Sequence, residues 1–350
     1  MTRQPAPTQG PVGVDFAPLE SRPDWPDVKA FRRLARKAHT PGSRQAPGTL
    51  PLVALAVLPL FLLAWLAFTQ VGAHLGSGRT ALVPPVILAA GLAVIAFLWL
   101  AALAGRSGWM RWYRIDRFAT ANGFQWHITS PDPGYPGTVF QQGTDRVCGE
   151  TIETTTGRPL RLGEYRYTLG KGKNRKIRRW GFIALRLDHR MPHMMLDGRG
   201  NNGLLGVSNL PASFARDQVL HLEGDFDRYF TLYCPRDYEK DALYLFTPDI
   251  MALFIDHAAA FDAEIVDDWL FLYAAAPFDI GHPATMRRML GVASAVGERL
   301  AQAAGRYRDD RATARAGRQA AGAGRLRPRV PWLGILVTAA AVAAILIFLL

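Results

Sequence analysis

Cysteine is nearly missing from this chain: Cys148 and Cys234 are the only two in 350 residues. They stand far apart with no companion, which excludes a disulfide framework, a thiolate zinc cluster and a Cys-x-x-Cys redox pair. Two ordinary, semi-buried thiols are expected. Histidine is scarce as well, with eight residues, and the His-Glu-x-x-His pattern of zinc hydrolases does not occur. Phosphate-binding loops fail on inspection: Gly170-Lys171 is not followed by Ser or Thr, and Tyr165 stands where the leading Gly belongs. Nucleophile-elbow and kinase signatures are absent. No catalytic residue stands out, no cofactor or metal is expected, and an enzyme is not the expected class.

Charged residues are missing altogether from Leu50–Phe68, Leu82–Ala104 and Trp332–Leu350. Each run approaches the ~20 residues that a helix needs to cross a hydrocarbon core of roughly 30 Å. Soluble helices nearly always carry a polar stripe, so three transmembrane helices are the economical expectation. The first run starts too far along the chain for a secretory signal. The connection from Gln70 to Ala81 is short, which makes the first two runs a hairpin. Eight Lys and Arg residues precede that hairpin, Arg106, Arg111, Arg114 and Arg117 follow it, and its inner loop holds only Arg79. The positive-inside rule then puts the N-terminus and the large middle segment in the cytosol of a multi-pass protein of the cell membrane. The expected divisions are a disordered basic tail over 1–49 with an interfacial amphipathic helix over 27–39, a transmembrane hairpin over 50–105, a cytosolic domain over 106–304, a basic linker over 305–330 and a transmembrane helix over 331–350.

Positive charge is in excess, at +12 overall. Most of it flanks the apolar runs, so it reports topology, and nucleic acid is not an expected partner. The middle segment is polarised along the sequence. Residues 112–216 carry 16 basic and 8 acidic side chains, whereas residues 217–304 carry 6 and 15. An anionic leaflet attracts Lys and Arg at about 1 kcal/mol each near its surface. The basic half is therefore expected to face anionic lipid and the acidic half to meet a protein partner.

Periodicity predicts an α+β domain. Trp112, Ile115, Phe118 and Ala119 recur at helical spacing, and Asn122-Gly123 is a suitable stop. The period then changes to two. "TVFQQ", "VCGETIETT", "LRLGEYRYTL", "RRWGFIALRL", "QVLHLEG", "YFTLYCP" and "DALYLFT" are short, rich in β-branched and aromatic residues, and separated by turn formers. A largely antiparallel sheet is the expected frame. "YRYTLGKGKNRKIRRWGFIAL" predicts a β-hairpin with the basic run at its tip. Such a tip suits a solvated turn, a lipid contact or a partner contact alike; the candidate contact residues are Lys171, Lys173, Arg175, Lys176 and Arg178. Trp180 alternates with Phe182, which puts both in the core. Thr247-Pro248 opens a helix as N-cap and first residue, with Ile250, Leu253, Phe254 and His257 on one face. "AEIVDDWLFLYAA" predicts two strands turning at Asp267-Asp268, and Pro283–Ala304 a closing helix.

"FDRYFTLY", the expected strand Ala242–Phe246 running into "TPDIMALFID", and the "DDWLFLY" hairpin resemble an uncharacterised family of bacterial membrane proteins. In that family, a domain of unknown function, a transmembrane hairpin precedes a cytosolic domain. The resemblance implies architecture and carries no activity.

Three groups invite a chemical reading. His189 and His193 lie among Met191, Met194 and Met195, a set suited to a soft metal. Pro192 argues against a helix there, and strand positions four apart are separated by roughly 13 Å, so a strand edge with partly buried Met is the plainer expectation. Glu223, Asp225 and Asp227 alternate as if on one strand face; a metal-dependent, membrane-bound enzyme using them is the alternative function, and a solvated or Arg-paired face the simpler one. "DGRGNNG" from Asp197 to Gly203 is a turn-rich loop with a ligand role left open. The expected function is a membrane-anchored cytosolic binding or scaffold domain without catalytic activity, docked on anionic lipid and a protein partner.

Overall fold

The computed structural model describes residues 13–37, 103, 105–202, 208–306 and 325–327. The three apolar runs lie outside these residues apart from Leu103. Among the described residues no helix is long and apolar enough to cross a membrane. The chain divides into two compact units, Asp15–Asn122 and the remainder from Gly123 onward with the first residues of the chain. The sheet unit thus begins at Gly123, and the helix that precedes it belongs to the other unit.

The N-terminal unit contains α1 (Ala17–Glu20), α2 (Trp25–Lys37) and α3 (105–121). Pro18 sits in the first turn of α1, and the Asp15 carboxylate accepts the Ala17 N–H at 2.9 Å. The amphipathic segment expected over 27–39 is helical over Trp25–Lys37, and α1 lies within the stretch expected as a tail. The apolar face of α2 is covered in part. Val28 is fully buried, and Phe31 packs edge-on against Trp109 and Tyr113 at 6.3 and 5.7 Å. Two guanidinium groups cover indoles, Arg32 over Trp109 and Arg106 over Trp25. Leu34 stays 67% exposed, and Ala38 lies outside the described residues. On α3, Trp112, Ile115, Phe118 and Ala119 are buried as their spacing predicts. Asn122 ends the helix by donating to the Phe118 carbonyl at 2.8 Å and ties it to Asp15 through a pair of hydrogen bonds.

The second unit is α+β, with one largely antiparallel sheet. Its strands are β1 (Phe124–His127), β2 (Ser130–Pro131), β3 (Thr144–Thr154), β4 (Leu160–Leu169), β5 (Lys176–Gly198), β6 (Val219–Leu220), β7 (Phe230–Tyr233) and β8 (Asp262–Ala274). They run in the order β1-β3-β4-β5-β7-β6, with β2 on β3 and β8 on β5. The 23-residue strand β5 organises everything else. Its first part pairs with β4 from Leu169↔Lys176 to Leu160↔Leu185, its last part pairs with β7, and β8 runs along it from Gly181 to Leu196. Both faces of β5 are buried. Trp180, Phe182 and Ala184 point into a cluster with Phe140, Tyr165, Phe271 and Tyr273, while Leu185 packs against the long helix α6 (Pro283–Arg306) at Gly297.

Four local expectations need correction. "TVFQQ" forms a 3-10 turn over Thr138–Gln141, which drives Val139 and Phe140 into the core. "DALYLFT" is helix α4 (Glu239–Leu245), because Ala242 and Leu245 bury one turn apart while Leu243 and Tyr244 remain exposed. The two strands expected around Asp267-Asp268 are the single strand β8, with Asp267 at φ +53° absorbing a bulge against β5. "QVLHLEG" keeps only Val219–Leu220 as strand. The helix opened by Thr247-Pro248 is present as α5 (Pro248–Leu253) and continues as a π turn over Phe254–Ala258.

Candidate functional site

The basic run sits at the turn of the β4–β5 hairpin, as its Gly, Lys and Asn content predicts. Lys171, Lys173, Lys176 and Arg178 are exposed. Arg175 is paired with Asp145 at 3.2 Å, and Arg179 makes a two-pronged pair with Glu164 at 2.7 and 2.8 Å. The Glu164 partner holds the Arg179 guanidinium in its charged form still more firmly.

The acidic triplet does not share a strand. Asp225 precedes a 3-10 turn over Phe226–Arg228, and Asp227 accepts from His221 at 2.7 Å and from the Leu222 N–H. Among the described residues no three His, Cys, Asp or Glu side chains converge as metal ligands would. His189 and His193 also part company: His189 is exposed in the bulged stretch of β5, and His193 is buried. Burial pushes the Cys148 thiol up to about 11 and the Cys234 thiol up to about 12, so both stay protonated at neutral pH and neither is an activated nucleophile.

His193 leads to a polar node that local sequence pattern does not announce. Its Nε2 lies 2.7 Å from the fully buried Glu264 carboxylate. The same carboxylate accepts from the Thr138 N–H at 2.7 Å, the Thr138 hydroxyl at 2.6 Å and the Tyr273 hydroxyl at 2.7 Å. On the other side of the ring, Nδ1 accepts the Leu326 N–H at 3.3 Å. With Nδ1 accepting, Nε2 is the donor, which fixes the tautomer.

Leu326 belongs to Arg325-Leu326-Arg327, which lie within the stretch expected as a basic linker and are held in the sheet unit at every position. The Leu326 side chain is 7% exposed and packs with Met195 and Phe214, edged by Leu210, Ala212 and Tyr233. Gln218 clamps the backbone of Arg327 in both directions, donating from Nε2 to the carbonyl at 2.9 Å and accepting the N–H at Oε1 at 2.8 Å. The Ala215 N–H adds a bond to the same carbonyl at 3.2 Å. The flanking arginines meet carboxylates from the acidic part of the sequence: Arg325 pairs with Asp267 at 2.6 Å and Arg327 with Asp217 at 3.0 Å. Asp267 lies opposite the bulged stretch of β5 and has positive φ, a strained conformation worth on the order of 1 kcal/mol that recurs where side chains are re-aimed. In this groove the backbone bonds to Gln218 and Ala215, the apolar contacts around Leu326 and the two carboxylates together hold the three residues.

No family model matches the chain, and no curated protein matches it significantly. Among solved structures it is similar to the crystal structure of the mycobacterial trehalose monomycolate transport factor A, TtfA, at 12% identity and a TM-score of 0.33, over 52% of this chain and 93% of that one.

Proposed function

We propose that the protein is a membrane-anchored binding protein whose sheet unit, in the cytosol, clasps an extended basic-apolar-basic segment. Its own Arg325-Leu326-Arg327 is the occupant in the state described. The observation that carries this is the Gln218 clamp on Arg327, placed beside an apolar pocket for Leu326 and a carboxylate for each arginine. Burying the Leu326 side chain contributes about 2 kcal/mol. The anchor rests on the three charge-free runs, and contact with anionic lipid rests on the exposed Lys171, Lys173, Lys176 and Arg178 at the hairpin turn.

A segment on the same chain competes at an effective concentration of about 1 mM, so an outside peptide binds measurably only once the resident one is weakened. The test uses full-length protein in lipid nanodiscs. Hydrogen exchange at the Leu326 and Arg327 amides is expected to be slow, and to accelerate in Leu326→Asp and in Gln218→Ala. A labelled peptide of residues 321–330 is expected to bind Leu326→Asp more tightly than wild type, and to lose that binding when Gln218→Ala is added. Fast exchange of both amides in the wild type would end this reading.

A further inference from the structure

The end of the β5–β8 ladder gathers a second polar cluster, separate from the groove. The last register pair is Leu196↔Ala263, so the next residues on each strand are Asp197 and Asp262. Beyond Gly198 the chain turns back through a 3-10 turn over Arg199–Asn201. The Gly198 N–H donates to Asp262 Oδ1 at 2.9 Å, and Asn209 Nδ2 donates to the Asn201 carbonyl at 3.2 Å, which fixes the turn over the two acids.

What remains is a set of buried polar atoms without hydrogen-bond partners: the oxygens Asp197 Oδ1, Asp262 Oδ2, Asn201 Oδ1, Asn202 Oδ1 and Asn209 Oδ1, together with Asn201 Nδ2. Asp262 is fully buried and Asp197 is 7% exposed. Burial pushes the Asp262 carboxyl up to about 7, opposed by the Gly198 N–H and the nearby Asn201 amide, and Asp197 adds to the rise. Burial raises Asp197 too, with Ser208, Asn202 and Arg199 pulling the other way. Neighbouring buried carboxylates and amide oxygens are the donors that hard cations take, and calcium accepts six to eight of them in flexible geometry, whereas magnesium keeps several waters. Water alone would satisfy the lone pairs and leave two neighbouring buried acids facing one guanidinium, that of Arg199.

We propose that Asp197, Asp262, Asn201, Asn202 and Asn209 form a calcium-binding site that closes the end of the β5–β8 ladder. The site pins the turn after β5, close to where Arg199 N–H meets the Tyr229 carbonyl beside β7. It recruits side chains of a loop whose turn-forming composition says nothing about convergence with Asp262.

The test is equilibrium dialysis of the full-length protein in detergent against calcium chloride, with elemental analysis of bound metal and thermal unfolding in parallel. Near one calcium per chain is expected at about 1 mM free calcium, with a rise in Tm that chelation by EGTA reverses. Asp262→Asn is expected to abolish both binding and the Tm response. Asn209→Ala, which removes one neutral ligand, is expected to weaken binding about tenfold with the fold intact, and it serves should Asp262→Asn fail to fold. No stoichiometric calcium, or equal binding by wild type and Asn209→Ala, would overturn the proposal. An equal response to magnesium would overturn the choice of ion.

Discussion

Glu264 accepts hydrogen bonds from Thr138 N–H, Thr138 Oγ1, Tyr273 and His193 while fully buried. A carboxylate has about four lone-pair sites, so each is used and every neighbour is a donor. A Gln in its place turns its NH2 toward the His193 Nε2–H or the Thr138 N–H, whichever oxygen it replaces, and neither N–H can accept. Glu264→Gln is therefore expected to lower the unfolding free energy by about 3 kcal/mol, whereas Tyr273→Phe, which removes one donor of four, lowers it by about 1 kcal/mol. Denaturant midpoints measure both, and an unchanged midpoint in Glu264→Gln would mean that the contacts do not act as a unit. Little of this node is legible in the sequence. Thr138 and Glu264 are 126 residues apart, and His193 and Leu326 are 133 apart. The local signal around His193, a run of Met, suits a soft metal or, more plainly, a strand edge with partly buried Met; in the fold those Met residues are buried core.

At the scale of elements, legibility follows how local the determinants are. The β4–β5 hairpin was readable because alternation, the Gly-rich turn and the basic tip all lie in one stretch, and β4 has the expected bounds. Strand β8 was misread because Asp-Asp looks like a turn; only pairing along β5 shows that one residue with positive φ bridges it. Helix α4 was misread because aromatic and aliphatic residues favour strands until the exposure of Leu243 and Tyr244 reveals the helical face. Two glycines test how rigidly the elements meet. A Cβ at Gly163, opposite Thr151 in the β3–β4 ladder, would overlap the Glu150 carbonyl oxygen. A Cβ at Gly297 of α6 would stand 2.6 Å from Leu185 Cδ2, the movable end of a side chain. Gly163→Ala is expected to destabilise by about 3 kcal/mol and Gly297→Ala by about 1 kcal/mol. Thermal unfolding of the two variants checks the order, and the reverse order would show that the helix contact is the stiffer of the two.

At the scale of the whole molecule, two basic segments meet different fates. Arg325 and Arg327 are taken up by Asp267 and Asp217, carboxylates of the acid-rich stretch. In the basic run of the hairpin Arg175 pairs with Asp145 and Arg179 with Glu164, while Lys171, Lys173, Lys176 and Arg178 stand exposed. Charge left exposed in a cluster costs repulsion and is useful only against an anionic surface or in bulk water. The two cases separate by salt: attraction to a leaflet falls off within a Debye length, which shrinks from about 8 Å at 0.15 M salt to about 3 Å at 1 M. Lysine acetylation of the full-length protein in nanodiscs distinguishes them. Lys171, Lys173 and Lys176 are expected to react more slowly in anionic than in neutral discs, with the difference vanishing near 1 M salt. Lys240, exposed in the acid-rich stretch, is expected to react at the same rate in both and serves as the internal reference. Equal rates for all four lysines would make the hairpin turn a solvated one, and the groove would then stand as the binding surface without help from the leaflet.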